Sequence, residues 1–342
     1  MSRRAAPASI VLVAALACGR AEVDIEDPPT RSEHEALASA RTCSRCHAEV
    51  AREWRESGHA QAWTDPLVQR EYQAAPDPSC VGCHAPLTPE GEQPRGSAAH
   101  DGVDCRSCHA QGDALTPSAT LAQSQLCGRC HQFRFLPPED SEALAYDPSA
   151  WLQDTLGEWS RSSAAARGVG CRDCHMPWVG EGGGRHRSHA FPGMLDARLV
   201  ASAVDVTIVA RREGELVLVD AQLSPGAIGH AFPTGDLFRE AVLRVWTEEP
   251  ESRTSERLLK RWFAAQPPST DGSPTYVVEV DDTRVPPPGA GPPRRFELRL
   301  HSPTASAIGW SLDLRAANTR RPDPGQRRVR VAEGRVKIAA GG

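Results

Sequence analysis

Five copies of Cys-x-x-Cys-His fall between Cys43 and His175, at Cys43/Cys46/His47, Cys80/Cys83/His84, Cys105/Cys108/His109, Cys127/Cys130/His131 and Cys171/Cys174/His175. In this pattern two thiols can add across the vinyl groups of a haem. The histidine, one helical turn after the first cysteine, then stands beneath the iron as its proximal ligand. The stretch offers about 27 residues per motif, too few to enclose five macrocycles in side chains. Such a stretch has to fold around its cofactors, with porphyrins packed largely on one another. The low aromatic content, 5% of residues, agrees, because haem supplies the large flat apolar surfaces that Phe and Trp normally provide. Zinc ribbons and sets of disulfides fit less well. A ribbon joins two Cys-x-x-Cys pairs around one metal, needs no histidine behind each, and would leave one of five pairs without a partner.

The N-terminus accounts for delivery of the cofactors. Arg3 and Arg4 precede an apolar stretch, Ile10 to Ala17 with the alanines before it, that is far too short to span a bilayer and reads as an export signal. Cys18, the eleventh cysteine, lies in Ala15-Leu16-Ala17-Cys18-Gly19, which resembles a bacterial lipobox with Ala15 where leucine is favoured. Residues 1–18 are therefore expected to be a lipoprotein signal ending at a lipidated Cys18. An ordinarily cleaved signal or a buried free cysteine is the alternative. Either way the product is exported, to the periplasm or as an outer-membrane lipoprotein of a Gram-negative-type bacterium, where haem c is attached. Residues 19–40, polar with Asp27-Pro28-Pro29 near the middle, read as a tether between membrane and first motif. The formal net charge is −5, and Lys260 and Lys337 are the two lysines, so positive charge is almost all guanidinium. Arginine suits bidentate pairing with haem propionates, although a coding bias explains the excess equally well. No basic stripe suggests nucleic acid.

The expected fold is multidomain: a haem-organised, mainly helical and irregular cytochrome domain over 41–197, then an antiparallel β-sandwich over 198–342. Helix signals in the first part include Ala48 to Glu56 and Trp151 to Ala166, with the Pro-rich and Gly-rich stretches at Pro86 to Gly96 and Gly180 to Gly184 as connectors. After Arg198 the pattern turns to short strands. Val204, Val206 and Ile208 alternate with polar residues, and Leu216 to Val219 returns after a Glu213-Gly214 turn. Further strand signals are Ala241 to Trp246, Leu258 to Phe263, Tyr276 to Val280, Phe296 to Leu300 and Trp310 to Leu314. Val329/Val331 is read as joined through a Glu333-Gly334 turn to Val336/Ile338.

Seven histidines remain outside the motifs, and they decide the chemistry. A haem with histidine on both faces mainly passes electrons, whereas one with an open face can bind a small molecule. His59 lies too far along a continuous helix from His47 to share its iron, so it is expected on another haem unless the chain turns at Gly58. His100, just before the third motif, is a candidate ligand or a capping-loop residue. His189 and His230 share the phrase His-Ala-Phe-Pro, in which proline is expected to hold the preceding phenylalanine extended. Each is a distal candidate, the alternative being a buried histidine hydrogen bonded in a turn. If His230 is a ligand, the β-domain is clamped to the haem domain through iron. His186, in an Arg- and Gly-rich run, is weaker. His34 and His301 read as solvated, Met176 cannot easily reach the far face of its own iron, and Met194 is a minor candidate.

With those residues in view, the chain resembles the multihaem c-type cytochromes related to the tetrahaem electron acceptor of hydroxylamine oxidoreductase. The matching features are Cys43-x-x-Cys46-His47 followed by Trp54 and Ser57-Gly58-His59, then Gly102-Val103-Asp104-Cys105, and Cys171-x-x-Cys174-His175-Met176-Pro177. The resemblance covers about residues 41 to 193, and Gly229 to Gly235 is more weakly similar to the C-terminal module of other secreted multihaem cytochromes. It implies five covalent haem c groups, closely stacked and mostly bis-histidine, shuttling electrons between redox partner proteins. The sequence departs from the enzymes of the group: every motif ends in histidine rather than the lysine of pentahaem nitrite reductases, and none of Tyr72, Tyr146 and Tyr276 sits in a recognisable catalytic phrase. The rival expectation is a multihaem reductase of a small nitrogen or sulfur oxyanion at a five-coordinate haem, kept open because four candidates serve five irons. A third idea makes the β-domain an adaptor for a larger complex.

Overall fold

The computed structural model describes residues 43–74, 76–111, 114–135, 145–267, 275–316 and 327–340. Cys18, the 19–40 tether and His34 lie outside the described residues. From Cys43 to Ala201 the chain runs through short helices and loops. Ala48–Arg55 is the first of these. Glu49 in its first turn and Arg52 and Arg55 in its last complement the helix dipole, and Ala51 and Trp54 are its buried side. Apolar clusters in this half are small: Trp54 with Ala60, and Trp63 with Val81 and Ala85.

The second half builds its core from two antiparallel sheets. The four-stranded sheet runs Thr254–Leu259, Arg239–Thr247, Ala307–Ala316, Arg328–Lys337, and the three-stranded sheet runs Arg294–His301, Leu216–Pro225, Val204–Glu213. Alternation places Val217, Val219, Ala221 and Leu223 on one face of their strand, in a shared core with Ala241, Leu243, Val245, Leu298 and Leu312. Each large side chain so buried contributes roughly 1.5–3 kcal/mol. Val204–Glu213 and Leu216–Pro225 form a hairpin closed by Gly214 and Glu215, with Gly214 at φ 59° where a side chain would be strained.

A third sheet ties the halves together. Arg261–Ala265 pairs with Tyr276–Asp282, which pairs in parallel with Ala145–Tyr146 from the first half. The Tyr146 ring stacks on Phe135 at 4.2 Å, and both meet Phe263 edge-on. Arg261 donates to the Trp151 and Leu152 carbonyls at 2.6 and 2.8 Å.

Three local expectations are corrected. Trp151 to Ala166 is not one helix: Trp151–Asp154 is a strand against Gln132–Arg134, followed by helices Thr155–Ser160 and Ser163–Ala166. The Trp151 and Leu152 carbonyls are taken by Arg261, which a helix interior would not allow, and Ser162 caps the second helix through Ala165 N. Leu258 to Phe263 divides at Lys260, so that one run serves two sheets. Arg328–Lys337 is one strand with no turn at Glu333-Gly334. Gly334 is needed there because a Cβ would lie 2.8 Å from Trp310 Nε1, so the glycine permits close packing rather than reversal.

In the four-stranded sheet, Asp313 on the inner strand Ala307–Ala316 is only 3% exposed and is held from the edge strand by Arg330 Nε at 2.6 Å and by Arg328 at 2.5 Å. Burial alone would raise its pKa; the two guanidiniums override this and hold it below the usual carboxylate range. The stabilisation is therefore present above the ordinary carboxylate pKa and lost as pH falls through the depressed folded value. Asp313→Ala is expected to lower stability at pH 7 by about 1–3 kcal/mol, and to narrow the gap to wild type in strong acid, as read by denaturant melts at several pH values.

Candidate functional site

Each motif occupies a single helical turn, which sets its histidine four residues after the first cysteine. His47 N donates to Cys43 O at 2.9 Å. The motifs at Cys80, Cys105, Cys127 and Cys171 lie in the helices Pro78–His84, Cys105–His109, Ser124–His131 and Cys171–His175. Carboxylates fix the starts of three: Asp77 accepts from Ser79 N, Asp104 from Arg106 N and Ser107 N, and Asp173 from Gly170 N. All ten described cysteines are free of disulfides. Among the described residues no three His, Cys, Asp or Glu side chains gather as a zinc centre would require.

Three of the four distal candidates stand opposite a motif histidine. Ring centres are 6.2 Å apart for His59 and His131, 6.1 Å for His109 and His189, and 6.3 Å for His175 and His230. A metal bonded to two imidazole nitrogens at about 2 Å, each ring centre lying about 1.1 Å behind its nitrogen, separates the centres by about 6 Å. Two bare rings in contact can span the same distance, so the hydrogen bonds at the far nitrogens carry the argument. Nδ1 of His175 donates to Pro192 O at 2.7 Å, that of His189 to Arg187 O at 2.8 Å, that of His230 to Ala231 O at 2.9 Å, and that of His84 to Ala62 O at 2.9 Å. A carbonyl only accepts, so Nδ1 carries the proton and Nε2 keeps a bare lone pair for a metal.

Electrostatics point the same way. Burial, together with the fields of His131, His175 and His189, pushes the His59 pKa down to about 4. Burial likewise lowers His109, His131, His189 and His230. All of these rings are neutral at pH 7, the state a metal needs. His109 and His131 nevertheless keep accessible surface. The residues present thus fit haem c: paired thiols, a neutral imidazole one turn on, and an opposing imidazole at the separation an iron requires.

The motifs also touch one another. The thiol of Cys83 adjoins that of Cys130, and the thiol of Cys127 adjoins that of Cys171. Cys105 is pushed up to about 11 by burial and by the adjacent Cys43. Cys108 lies within the field of both Cys127 and Cys130. The fourth motif is therefore next to the second, third and fifth, and the third is next to the first.

The remaining residues fall elsewhere. His100 lies in the helix Ser97–Asp101 with its Nε2 buried. The next segment packs on His59, whose carbonyl accepts from Val103 N at 2.9 Å and stands 2.4 Å from where a Cβ on Gly102 would lie. His186 has Nε2 3.3 Å from the Glu53 carboxylate and Nδ1 on Gly184 O, and these raise its pKa, the Gly184 contact most; it is engaged in an ion pair rather than aimed at a motif. His301 pairs with Glu215 at 3.1 Å on the surface. Met194 packs on the β core and its sulfur meets Arg239. Phe191 is not extended: its φ is 45°, left-handed and strained, with its ring edge-on to His59 at 4.3 Å. Sequence reasoning missed the supports. Glu53 accepts from His189 N at 2.8 Å, and Glu158 and Arg284 brace the His230 loop. No local motif marks such residues, since each acts across a large sequence separation.

Residues 42–110, spanning the first three motifs, match the family described as cytochrome c554 and c-prime. Comparison with curated proteins gives no match. Among solved structures the chain is similar to a penta-haem cytochrome c552 from Thermochromatium tepidum, at 18% identity and TM-score 0.66, over 88% of this chain and 99% of that one. At that identity the similarity speaks for fold alone. Taken with the repeated Cys-x-x-Cys-His turns and the family match, this chain has the fold and the attachment motifs of a multihaem c-type cytochrome.

Proposed function

We propose that the chain carries electrons between redox partner proteins, with one haem c held at each of its five motifs. The observation that carries this reading is the set of three imidazole pairs at 6.1–6.3 Å in which His175, His189 and His230 hold Nδ1 on a carbonyl and leave Nε2 bare, which suits irons closed on both faces. In this reading His131 and His59 share one iron, His109 and His189 a second, and His175 and His230 a third. His100 is assigned to one of the two irons on His47 and His84. When bound, each haem supplies an iron that changes by a single electron without making or breaking a substrate bond.

The protein's own part is to fix ligands and spacing. Carbonyl-anchored imidazoles hold their Nε2 atoms in place in both oxidation states, so little rearrangement accompanies electron transfer. Contacts between the first and third, third and fourth, second and fourth, and fourth and fifth motifs favour a continuous route that branches at the fourth. Export through the N-terminal signal, lipidation at Cys18 and residence in the periplasm or at the outer membrane complete the proposal. The donor and acceptor are proteins that meet an exposed haem edge.

A second reading is favoured by one count. With His186 on Glu53 and His301 on Glu215, the four candidates His59, His100, His189 and His230 are one short for five irons. One iron, on His47 or His84, is then open on its second face, where a small nitrogen or sulfur oxyanion could be reduced.

Intact mass of the protein from its native cell envelope is expected to carry five haem c additions; fewer overturn the carrier proposal. His189→Ala is expected to convert one low-spin haem to a form that binds carbon monoxide, adding one equivalent to the wild-type titration, and an unchanged titration removes His189 as a ligand. Nitrite or cyanide that shifts a wild-type high-spin band favours the reductase, whereas an all-low-spin spectrum in both redox states excludes it.

A further inference from the structure

Deep between the halves lies an ion pair that no motif marks. Glu158, on the helix Thr155–Ser160, meets Arg284 Nη1 at 2.7 Å, and their side chains are only 4% and 9% exposed. Ion pairs buried this far contribute little net stability, because desolvation offsets attraction. Their role is better read from what else they hold.

Both partners hold the loop that presents His230. The second Glu158 oxygen accepts from Thr234 Oγ1 at 2.6 Å and from Ala231 N at 3.3 Å. Arg284 Nη1 also donates to Pro233 O at 3.2 Å, and Asp282 fixes the guanidinium by bonds of 2.9 and 2.8 Å from Nε and Nη2. Phe232 and Val285 exchange backbone bonds at 2.9 and 2.8 Å. Every residue from Ala231 to Thr234 is thus tied to Glu158 or to the Arg284–Val285 segment. On the other side of His230, Gly229 lies so close to Trp159 and Ala164 that a Cβ would meet each at 3.4 Å. The helix carrying Glu158 is itself set on the fourth motif: a Cβ on Gly128 would lie 2.3 Å from Leu156 Cδ2. Thr155 Oγ1, at its first residue, is 2.8 Å from Thr234 Oγ1.

We infer that the Glu158–Arg284 pair, acting through Thr234 and the Ala231 and Pro233 backbone, is the positioning element that keeps His230 on the iron opposite His175. The inference rests on the reading of His230 as that iron's second ligand. Glu158 and Arg284 touch neither iron nor substrate. They set the loop whose single Nε2 must stay on the metal, and they register it on the helix packed against the fourth motif. A loose loop would let His230 leave the iron more often while the fold around it persists.

The test compares haem-loaded full-length wild type with His230→Ala, Glu158→Gln and Thr234→Val, using ferric low-spin resonance spectra and the kinetics of carbon monoxide binding to the reduced protein. In His230→Ala one low-spin signal is lost and one fast carbon monoxide site is gained; a variant that keeps every wild-type signal overturns the ligand reading, and the inference with it. In Glu158→Gln and Thr234→Val the same haem is expected to bind carbon monoxide about tenfold faster than in wild type, because binding waits for His230 to depart and one buried hydrogen bond holding its loop is gone. Wild-type kinetics in both, with His230→Ala altered, overturn the positioning role while leaving the ligand in place. A lowered melting temperature with unchanged kinetics counts the same way. If Glu158→Gln does not fold, Thr234→Val decides, since it replaces one hydroxyl by a methyl of similar volume.

Discussion

Everything in the first half follows from having to hold neutral imidazoles with their Nε2 atoms aimed and their Nδ1 atoms satisfied. The acceptors are the Pro192, Arg187, Ala231 and Ala62 carbonyls, all outside helices. A helix interior has no such carbonyls to give, because each is committed to an amide four residues on. Short helices broken by loops are therefore what holding such rings demands. Regular elements long enough to form their own core would withdraw the acceptors that orient the rings. The sparse protein core of this half, a few residues around Trp54 and Trp63, is the other side of the same constraint.

The second half meets the opposite requirement. Its two sheets bury Val217, Val219, Leu243, Leu298 and Leu312 completely, so it has a rigid apolar core that needs no cofactor. Rigidity is useful only if it is transmitted, and the transmitting contacts are polar: Arg261 on the Trp151 and Leu152 carbonyls, Ser163 N on Pro288 O, and the Glu158–Arg284 pair. Under the proposed ligand assignment, the β half then lends its stiffness to one axial position through His230. Deleting it would cost a haem ligand, not merely a neighbouring domain.

What could be read from the sequence was what is local. The spacing within each pentapeptide dictates a helical turn and an attachment chemistry, and the alternation from Val204 onward dictates strands. Reading failed where a residue's conformation is set from afar. Trp151–Asp154 has helical composition, yet Arg261, more than a hundred residues later, claims its carbonyls. Gly334 looks like a turn residue, but the Trp310 indole above it is the reason for a glycine. Which imidazole faces which motif is entirely long-range, because His59 and His131 lie on different segments and meet only in three dimensions.

The two His-Ala-Phe-Pro phrases make the same point with the chemistry held constant. In the first, the Phe191 backbone is left-handed, its ring edge-on to His59, and Glu53 from a distant helix accepts from His189 N. In the second, Phe232 is buried in the β core, its backbone is bonded to Val285, and Glu158 accepts from Ala231 N. Identical tetrapeptides thus take different backbones, yet each leaves a Nδ1-anchored imidazole about 6 Å from a motif histidine. The shared outcome rests on a carboxylate and a fixed carbonyl rather than on the phrase itself. Under the proposed assignment, a histidine followed by Ala-Phe-Pro serves as a ligand only where the surrounding fold supplies that acceptor pair, so the phrase nominates a residue and the tertiary structure decides its use.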